Sequence, residues 1–218
     1  MERQLASSWL GQQETKQLGT AASFSAAVGL RQRMLHFLQN IEHYMMFEVL
    51  EPNHHVLQQR LRGASTLDEI LARHSEFLDA SLKECMLRDA VLLRLLAKIL
   101  TICVIFADQT RLVMADVARL VGTEPLPPHG HPRRDRLATL SAEVAEIIAD
   151  CRYHANVVKL GAKFDEELKR LLDELRKQAH KEWNLAHLLA RLDYNTYWSG
   201  PSSALSGPAA AIAAAAAP

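Results

Sequence analysis

A chain of 218 residues with 49% apolar and 23% charged side chains is long enough to bury a sizeable core and too hydrophobic to be disordered throughout. Its 25 basic residues balance 25 acidic ones, so no global positive field favours a nucleic-acid backbone or an anionic membrane. Cys85, Cys103 and Cys151 stand far apart without a CxxC pair, which argues against a disulfide framework or zinc site and for a reducing compartment.

Glycine and proline are sparse before residue 120, and apolar residues recur at helical spacing. The expected fold is therefore all-α, a bundle of about six or seven helices; no repeat of fixed period supports a solenoid. A short helix is expected over 2–9. The opening residues carry both charge signs and lack the apolar run of a signal peptide. Ser23 or Ser25 is placed to cap a long helix whose inward positions are Leu30, Met34, Phe37, Leu38, Ile41, Met45 and Val49.

That helix is expected to stop near Leu50, because Pro52 disfavours helical geometry at Glu51 and suits the first turn of a new helix running to Arg62. Gly63 closes this piece. Ser65 or Thr66, followed by Asp68 and Glu69, forms an N-terminal signature for a helix carrying Ile70, Leu71, Phe77, Leu78 and Leu82. A break at Arg88 and Asp89 leads into the most apolar helix, from Val91 to about Val121. Arg94 and Lys98 interrupt it, and its uncharged part is about half of the ~20 residues a bilayer span needs, so it reads as a buried core helix without membrane insertion.

Residues 122–132, GTEPLPPHGHP, contain four prolines and two glycines and are expected to form a loop or insertion. Helical spacing returns over 136–177, with an interruption expected near Gly161, and a last short helix is expected over 182–191. The domain scheme is one helical domain over 1–198 with a linker or insertion at about 122–135, and a disordered, Ala-rich tail over 199–218.

The chain contains none of the motifs that carry common chemistries. Ten histidines are present, but the His54–His55 and His129–His131 pairs lack HExxH spacing or a neighbouring carboxylate or cysteine in register. His36 and His43, seven apart beside Glu42, read as a polar flank of a core helix. GxxxxGK[ST], GxGxxG and GxSxG are missing, and Cys151 with Tyr153 and His154 does not form a papain-like arrangement. Neither catalysis nor a cofactor is indicated. The basic cluster PRRDR at 132–136 is diluted by Asp135 and has no interleaved aromatics for nucleic acid. FDEELKRLLDELRK at 164–177 reads as a solvated charged face over a core stripe, or as a support for a partner helix.

One stretch is more specific. LRQRMLHFLQNIEHYMMFEVLEPNHHVLQQRL, residues 30–61, resembles the signature segment of the C-terminal domain of the gamma-tubulin complex protein family. The matching positions include Arg31, Arg33, Met34, Phe37, Gln39, Asn40, Tyr44, Met45, Met46, Phe47, Glu48, Val49, Glu51 and Pro52. MERQL with Trp9, STLDEILARHSEFLDASLKECML, and the closing HLLARLDYNTYW, through Leu192, Asp193, Asn195 and Tyr197, are also similar to family segments. Residues 108–136 depart from the pattern.

The resemblance implies a helical fold, binding of gamma-tubulin, assembly with other gamma-tubulin complex components, and a place in the cytoplasm and cytoskeleton at microtubule-organising centres. The bound GTP would belong to gamma-tubulin and not to this chain. The candidate partner contacts are Arg33, Gln39, Asn40, Tyr44, Glu48, Arg191, Asp193 and Asn195. Polar groups within an apolar helix must find hydrogen bonds, so each of these either fixes the bundle or lines the partner surface; Arg191 and Asp193 either clamp the last helix internally or stand exposed. A different reading is a helical adaptor that packs with other helical proteins and has lost its gamma-tubulin contacts.

Overall fold

The computed structural model describes residues 21–122, 131–150, 152–179, 183–194 and 196–198. The helices are α1 (Ala21–His43), a π-helical segment (Tyr44–Leu50), α2 (Glu51–Leu61), α3 (Leu67–Glu84), α4 (Ala90–Gly122), α5 (His131–Asp150), α6 (Tyr153–Ala179) and α7 (Trp183–Leu192). No strand occurs among the described residues, as the helical periodicity requires. The expected helix at 2–9, the Pro-rich residues 123–130 and the Ala-rich tail lie outside the described residues, as do Cys151 and Asn195.

Two compact units share these helices. One holds residues 1–35 and 100–165, the other 36–99 and 166–218. In the first, α1 contributes Phe24, Ala27, Leu30 and Met34 to the core, α4 contributes Cys103, Phe106 and Val117, α5 contributes Leu140 and Val144, and α6 contributes Tyr153, Val157 and Phe164. The hydroxyls of Tyr153 and Thr110 meet at 2.9 Å in this core, so neither is buried unsatisfied, and burial raises the phenol pKa. In the second unit the core is Phe37, Ile41, Tyr44, Val49, Leu57, Leu92, Leu96, Ile99, Leu168, Leu171, Leu172, Leu175, Leu185 and Leu188.

Helix α4 is the one described helix long and apolar enough to cross a bilayer. Its buried positions, Leu92, Leu96, Ile99, Cys103, Phe106 and Val117, recur at steps of three and four or their sums, while Arg94, Lys98, Asp108 and Arg111 are on the solvent side. This is the pattern of a helix that buries one face in a core and turns the other to solvent. Along 164–177, Phe164, Leu168, Leu171, Leu172 and Leu175 are buried, and Arg170, Arg176 and Lys177 pair with acidic residues three or four positions earlier, which is the solvated-face arrangement.

Several boundaries differ from expectation. Ser23 and Ser25 have helical backbone inside α1 and do not cap it. Of the linker expected over about 122–135, Gly122 and residues 131–135 have helical backbone, within α4 and α5, and 123–130 lie outside the described residues. No interruption occurs at Gly161: α6 passes through it unbroken. Its hydrogen side allows close approach instead, since a Cβ there would lie 3.4 Å from Arg33 Nη2 and 3.7 Å from Leu30 Cδ1. The actual break falls at Arg152, whose φ of 47° ends the run of α5.

Two junctions follow their local sequence. Thr66 caps α3, accepting a hydrogen bond from Glu69 N at 3.3 Å, while the Glu69 carboxylate accepts from Ser65 N at 2.8 Å. This is a capping-box arrangement whose carboxylate reaches back as far as Ser65, and the backbone bonds of Ser65, then Thr66, hold the Glu69 pKa below its ordinary value. At the other end, Leu87 N bonds to Leu82 O and Met86 N to Lys83 O around a left-handed Met86 at φ 64°. That is a Schellman stop with methionine in the position glycine usually takes.

Candidate partner-binding surface

The expected stop near Leu50 does not occur. Leu50 and Glu51 keep right-handed helical dihedrals (φ −69°, ψ −43° and φ −64°, ψ −48°), and the chain enters α2 without leaving the helix. The conflict with Pro52 is absorbed by widening the preceding turns: Glu51 N donates to Met46 O, five residues back. A proline removes one N–H and crowds the carbonyl four residues earlier, and a π-helical stretch relieves both by shifting the hydrogen-bond ladder by one residue.

The wider turn changes which side chains face inward. Ile41, Tyr44 and Val49 are buried, a step of three and then five, while Met45, expected in the core, is half-buried. Met46 and Phe47 are pushed outward and are 51% and 59% exposed. Three consecutive apolar residues after Tyr44 cannot all fit one helical face; that was the available sequence signal for this outward pair.

Glu48 lies at the centre of a charged cluster. Arg191 Nε of α7 approaches its carboxylate at 3.0 Å, and His187 Nδ1 and His43 Nδ1 each lie at 3.8 Å. The His43 ring stands 5.0 Å from the Phe47 ring, so Phe47, His43, Glu48, His187 and Arg191 form one continuous strip. At the end of α7, Asp193 accepts from Arg176 Nη2 at 3.0 Å and from Trp198 N at 2.9 Å, folding the closing residues back on the helix end. Tyr194 and Tyr197 are exposed beside this anchor.

Of the expected contacts among the described residues, Glu48 and Arg191 are brought together. Arg33 is ion-paired with Asp165, both within the first unit. Gln39 is exposed on α1, and Asn40 donates to His36 O of its own helix at 2.8 Å. Tyr44 has no exposed surface and its hydroxyl donates to Glu84 O at 2.9 Å, so it belongs to the packing of its unit. Asp193 is likewise buried, but its partner is Arg176 of α6 and not Arg191, which turns to Glu48 instead. Asn195 lies outside the described residues. Met46, Phe47, His43 and His187 were not singled out from the sequence as contacts.

The strip carries recognition elements. Exposed Met and aromatic side chains next to an arginine are the composition of protein-binding hot spots. Elsewhere, His54 packs edge-on to Phe77 at 6.3 Å and His55 meets Gln59 at 2.8 Å. No group of three metal-ligating side chains occurs among the described residues. A cleft of about 320 Å³ between Gln59, Arg60, Gly63, Ala64, Glu69 and Arg73 has both its arginines turned to Glu76, leaving no free cation for an anion. Cys85 and Cys103 are buried free thiols, the latter pushed up to about 12 by desolvation, and are chemically quiet.

These features define an all-helical protein whose accessible chemistry is a mixed aromatic, methionine and charged surface. Residues 1–198 match the family described as gamma tubulin complex component C-terminal, and the chain belongs to that family. It is 34% identical to mouse gamma-tubulin complex component 2 over 91% of this chain and 24% of that protein. It is 29% identical to Arabidopsis thaliana gamma-tubulin complex component 2 over 86% of this chain and 25% of that protein. It is 32% identical to the Schizosaccharomyces pombe spindle pole body component alp4 over 58% of this chain and 17% of that protein. The chain therefore spans about a quarter of the length of the first two relatives.

Proposed function

We propose that this chain is a gamma-tubulin-binding scaffold within the gamma-tubulin complex, acting in the cytoplasm at microtubule-organising centres, without catalysis of its own. The observation that carries the reading is the family match over 1–198, which takes in the segment that turns Met46 and Phe47 outward. In this reading the strip from Phe47 to Arg191 holds gamma-tubulin, and other gamma-tubulin complex components hold neighbouring copies. Fixing several gamma-tubulins side by side lowers the association entropy that opposes a microtubule seed. GTP stays with gamma-tubulin, and no cofactor takes part.

The test is capture of purified gamma-tubulin by the immobilised chain and by Phe47→Ala and Arg191→Glu variants that keep their circular dichroism and melting temperature. Capture by the parent chain, weakened by the substitutions, supports the reading. A folded chain that captures none overturns it and favours a helical adaptor.

A further inference from the structure

The connection between α2 and α3 carries a pattern that the partner-binding strip does not use. Arg60, Arg62 and Ser65 stand in the spacing R-x-R-x-x-S. A protein kinase that selects its targets by charge seats arginines before the target hydroxyl in an acidic groove, and takes the segment around that hydroxyl in extended form. The same spacing occurs at Arg134, Arg136 and Thr139, but there the whole run lies inside α5. Around Ser65 the backbone has left the helix: Arg62 is the C-cap of α2, Thr66 is extended at φ −124° and ψ 156°, and α3 begins at Leu67.

The side chains are accessible as well. Ser65 and Arg62 are exposed, and Arg62 has no ion pair among the described residues. Arg60, in the last turn of α2, reaches Glu76 at 2.8 Å, but both side chains are half-exposed. Such a pair contributes about 0–1 kcal/mol, so a kinase groove can draw Arg60 away.

The surroundings of Ser65 also provide a place for the product. Its Oγ lies 3.3 Å from Glu69 Oε2, so a phosphate there repels this carboxylate from its bond to Ser65 N. Glu69, Arg60 and Arg73 line the cleft of about 320 Å³, and the two guanidiniums share the single carboxylate of Glu76. A dissolved anion finds no free cation in that arrangement. A phosphate tethered to Ser65 competes differently, because it is held at high effective concentration, carries close to two negative charges and offers three acceptor oxygens.

We propose that Ser65 is a phosphorylation site for an arginine-reading protein kinase, and that Arg60 and Arg73 hold the phosphate in the cleft between α2 and α3. In the transfer, Ser65 Oγ attacks the γ-phosphorus of ATP. The Oγ–P bond forms, the bond from that phosphorus to the bridging oxygen of the departing ADP breaks, and the hydroxyl proton passes to the kinase's catalytic carboxylate. The phosphate then draws both arginines from Glu76 and resets the pairing of α2 with α3. The inference is independent of gamma-tubulin binding, since no residue of the strip from Phe47 to Arg191 takes part.

The purified, folded chain is incubated with magnesium, ATP and protein kinase B, which prefers this arginine spacing, and the modified residue is located by mass spectrometry. Phosphate is expected on Ser65, and its rate of incorporation is expected to fall about tenfold or more in Arg62→Ala, whose melting temperature should match the parent. Modification of Thr139 in preference to Ser65, modification of neither, or an Arg62→Ala variant modified as fast as the parent overturns the proposed site. Holding of the phosphate is read by phosphorus NMR of the modified chain. The midpoint of the second phosphate ionisation, ordinarily near pH 6, is expected to lie higher in Arg73→Ala than in the parent, because a neighbouring cation favours the dianion; equal midpoints overturn the docking in the cleft.

Discussion

The hydroxyl of Tyr44 donates to the backbone carbonyl oxygen of Glu84 at 2.9 Å, tying the π-helical segment to the C-terminal end of α3. The last carbonyls of a helix have no partner within it, so this bond satisfies a group that would otherwise be orphaned in a partly buried place. Tyr44→Phe keeps the ring and removes the donor, and is expected to cost about 1 kcal/mol. Tyr44→Ala also empties a fully buried ring site and is expected to cost about 3–5 kcal/mol. Urea melts of the three proteins measure both; a Tyr44→Phe variant as stable as the parent would mean that water replaces the bond.

This pairing marks how far the sequence could be read. The number and type of helices followed from apolar spacing, and the α3 capping box followed from Thr66 and Glu69, because local chemistry decides both. The continuous passage through Pro52 did not follow, since a π-helical turn depends on tertiary packing of Tyr44 and Val49 that no local rule contains. Gly161 misled for a related reason: glycine weakens an isolated helix, but here it admits Arg33 and Leu30 from α1. Of the candidate contacts, Glu48 and Arg191 lie far apart in the chain, and only the fold shows that they meet.

Asp89 joins two helices of its unit. One carboxylate oxygen accepts from Val91 N at 2.7 Å and Leu92 N at 3.0 Å, capping α4, and the other accepts from Gln178 of α6 at 2.8 Å. The Leu92 backbone bond, followed by the Gln178 bond, holds its pKa below the ordinary value. A depressed folded-state pKa means that the unfolded chain binds the proton more readily. The contribution is therefore fully present above the unfolded value of about 4 and is lost as pH falls through the folded value. Asp89→Ala is expected to cost about 1 kcal/mol at neutral pH, with the gap to the parent closing in acid. A gap independent of pH down to the acid transition would remove the carboxylate from the account.

Gly161→Ala separates a helix-breaking role from a packing role. The added Cβ would stand 3.4 Å from Arg33 Nη2, the far end of a flexible side chain, and 3.7 Å or more from Leu30. Both distances are ordinary contacts, and alanine favours a helix interior over glycine by about 1 kcal/mol. The variant is expected to be more stable by about 0.5–1 kcal/mol, with the Arg33–Asp165 pair kept. Gly161→Leu lacks that room and is expected to destabilise by about 1–3 kcal/mol through overpacking. Thermal melts of the two variants decide; an alanine variant less stable than the parent would show that the approach of α1 to α6 is tighter than this geometry allows.

Phe47 offers the cleanest separation of binding from stability. Its ring is 59% exposed and its described neighbour is the His43 ring at 5.0 Å, so Phe47→Ala is expected to change stability by no more than about 0.5 kcal/mol. An aromatic anchor at a partner interface is commonly worth about 2 kcal/mol or more, so gamma-tubulin capture by this variant is expected to weaken by about thirtyfold. Tyr44→Phe is the counterpart: it is expected to lower stability while leaving the exposed strip in place, and capture at a temperature where it stays folded should be unchanged. If titration binding gave the same loss for both variants, the effect would track folding and not contact. If Phe47→Ala bound as the parent does, the strip from Phe47 to Arg191 would not be the surface that holds gamma-tubulin.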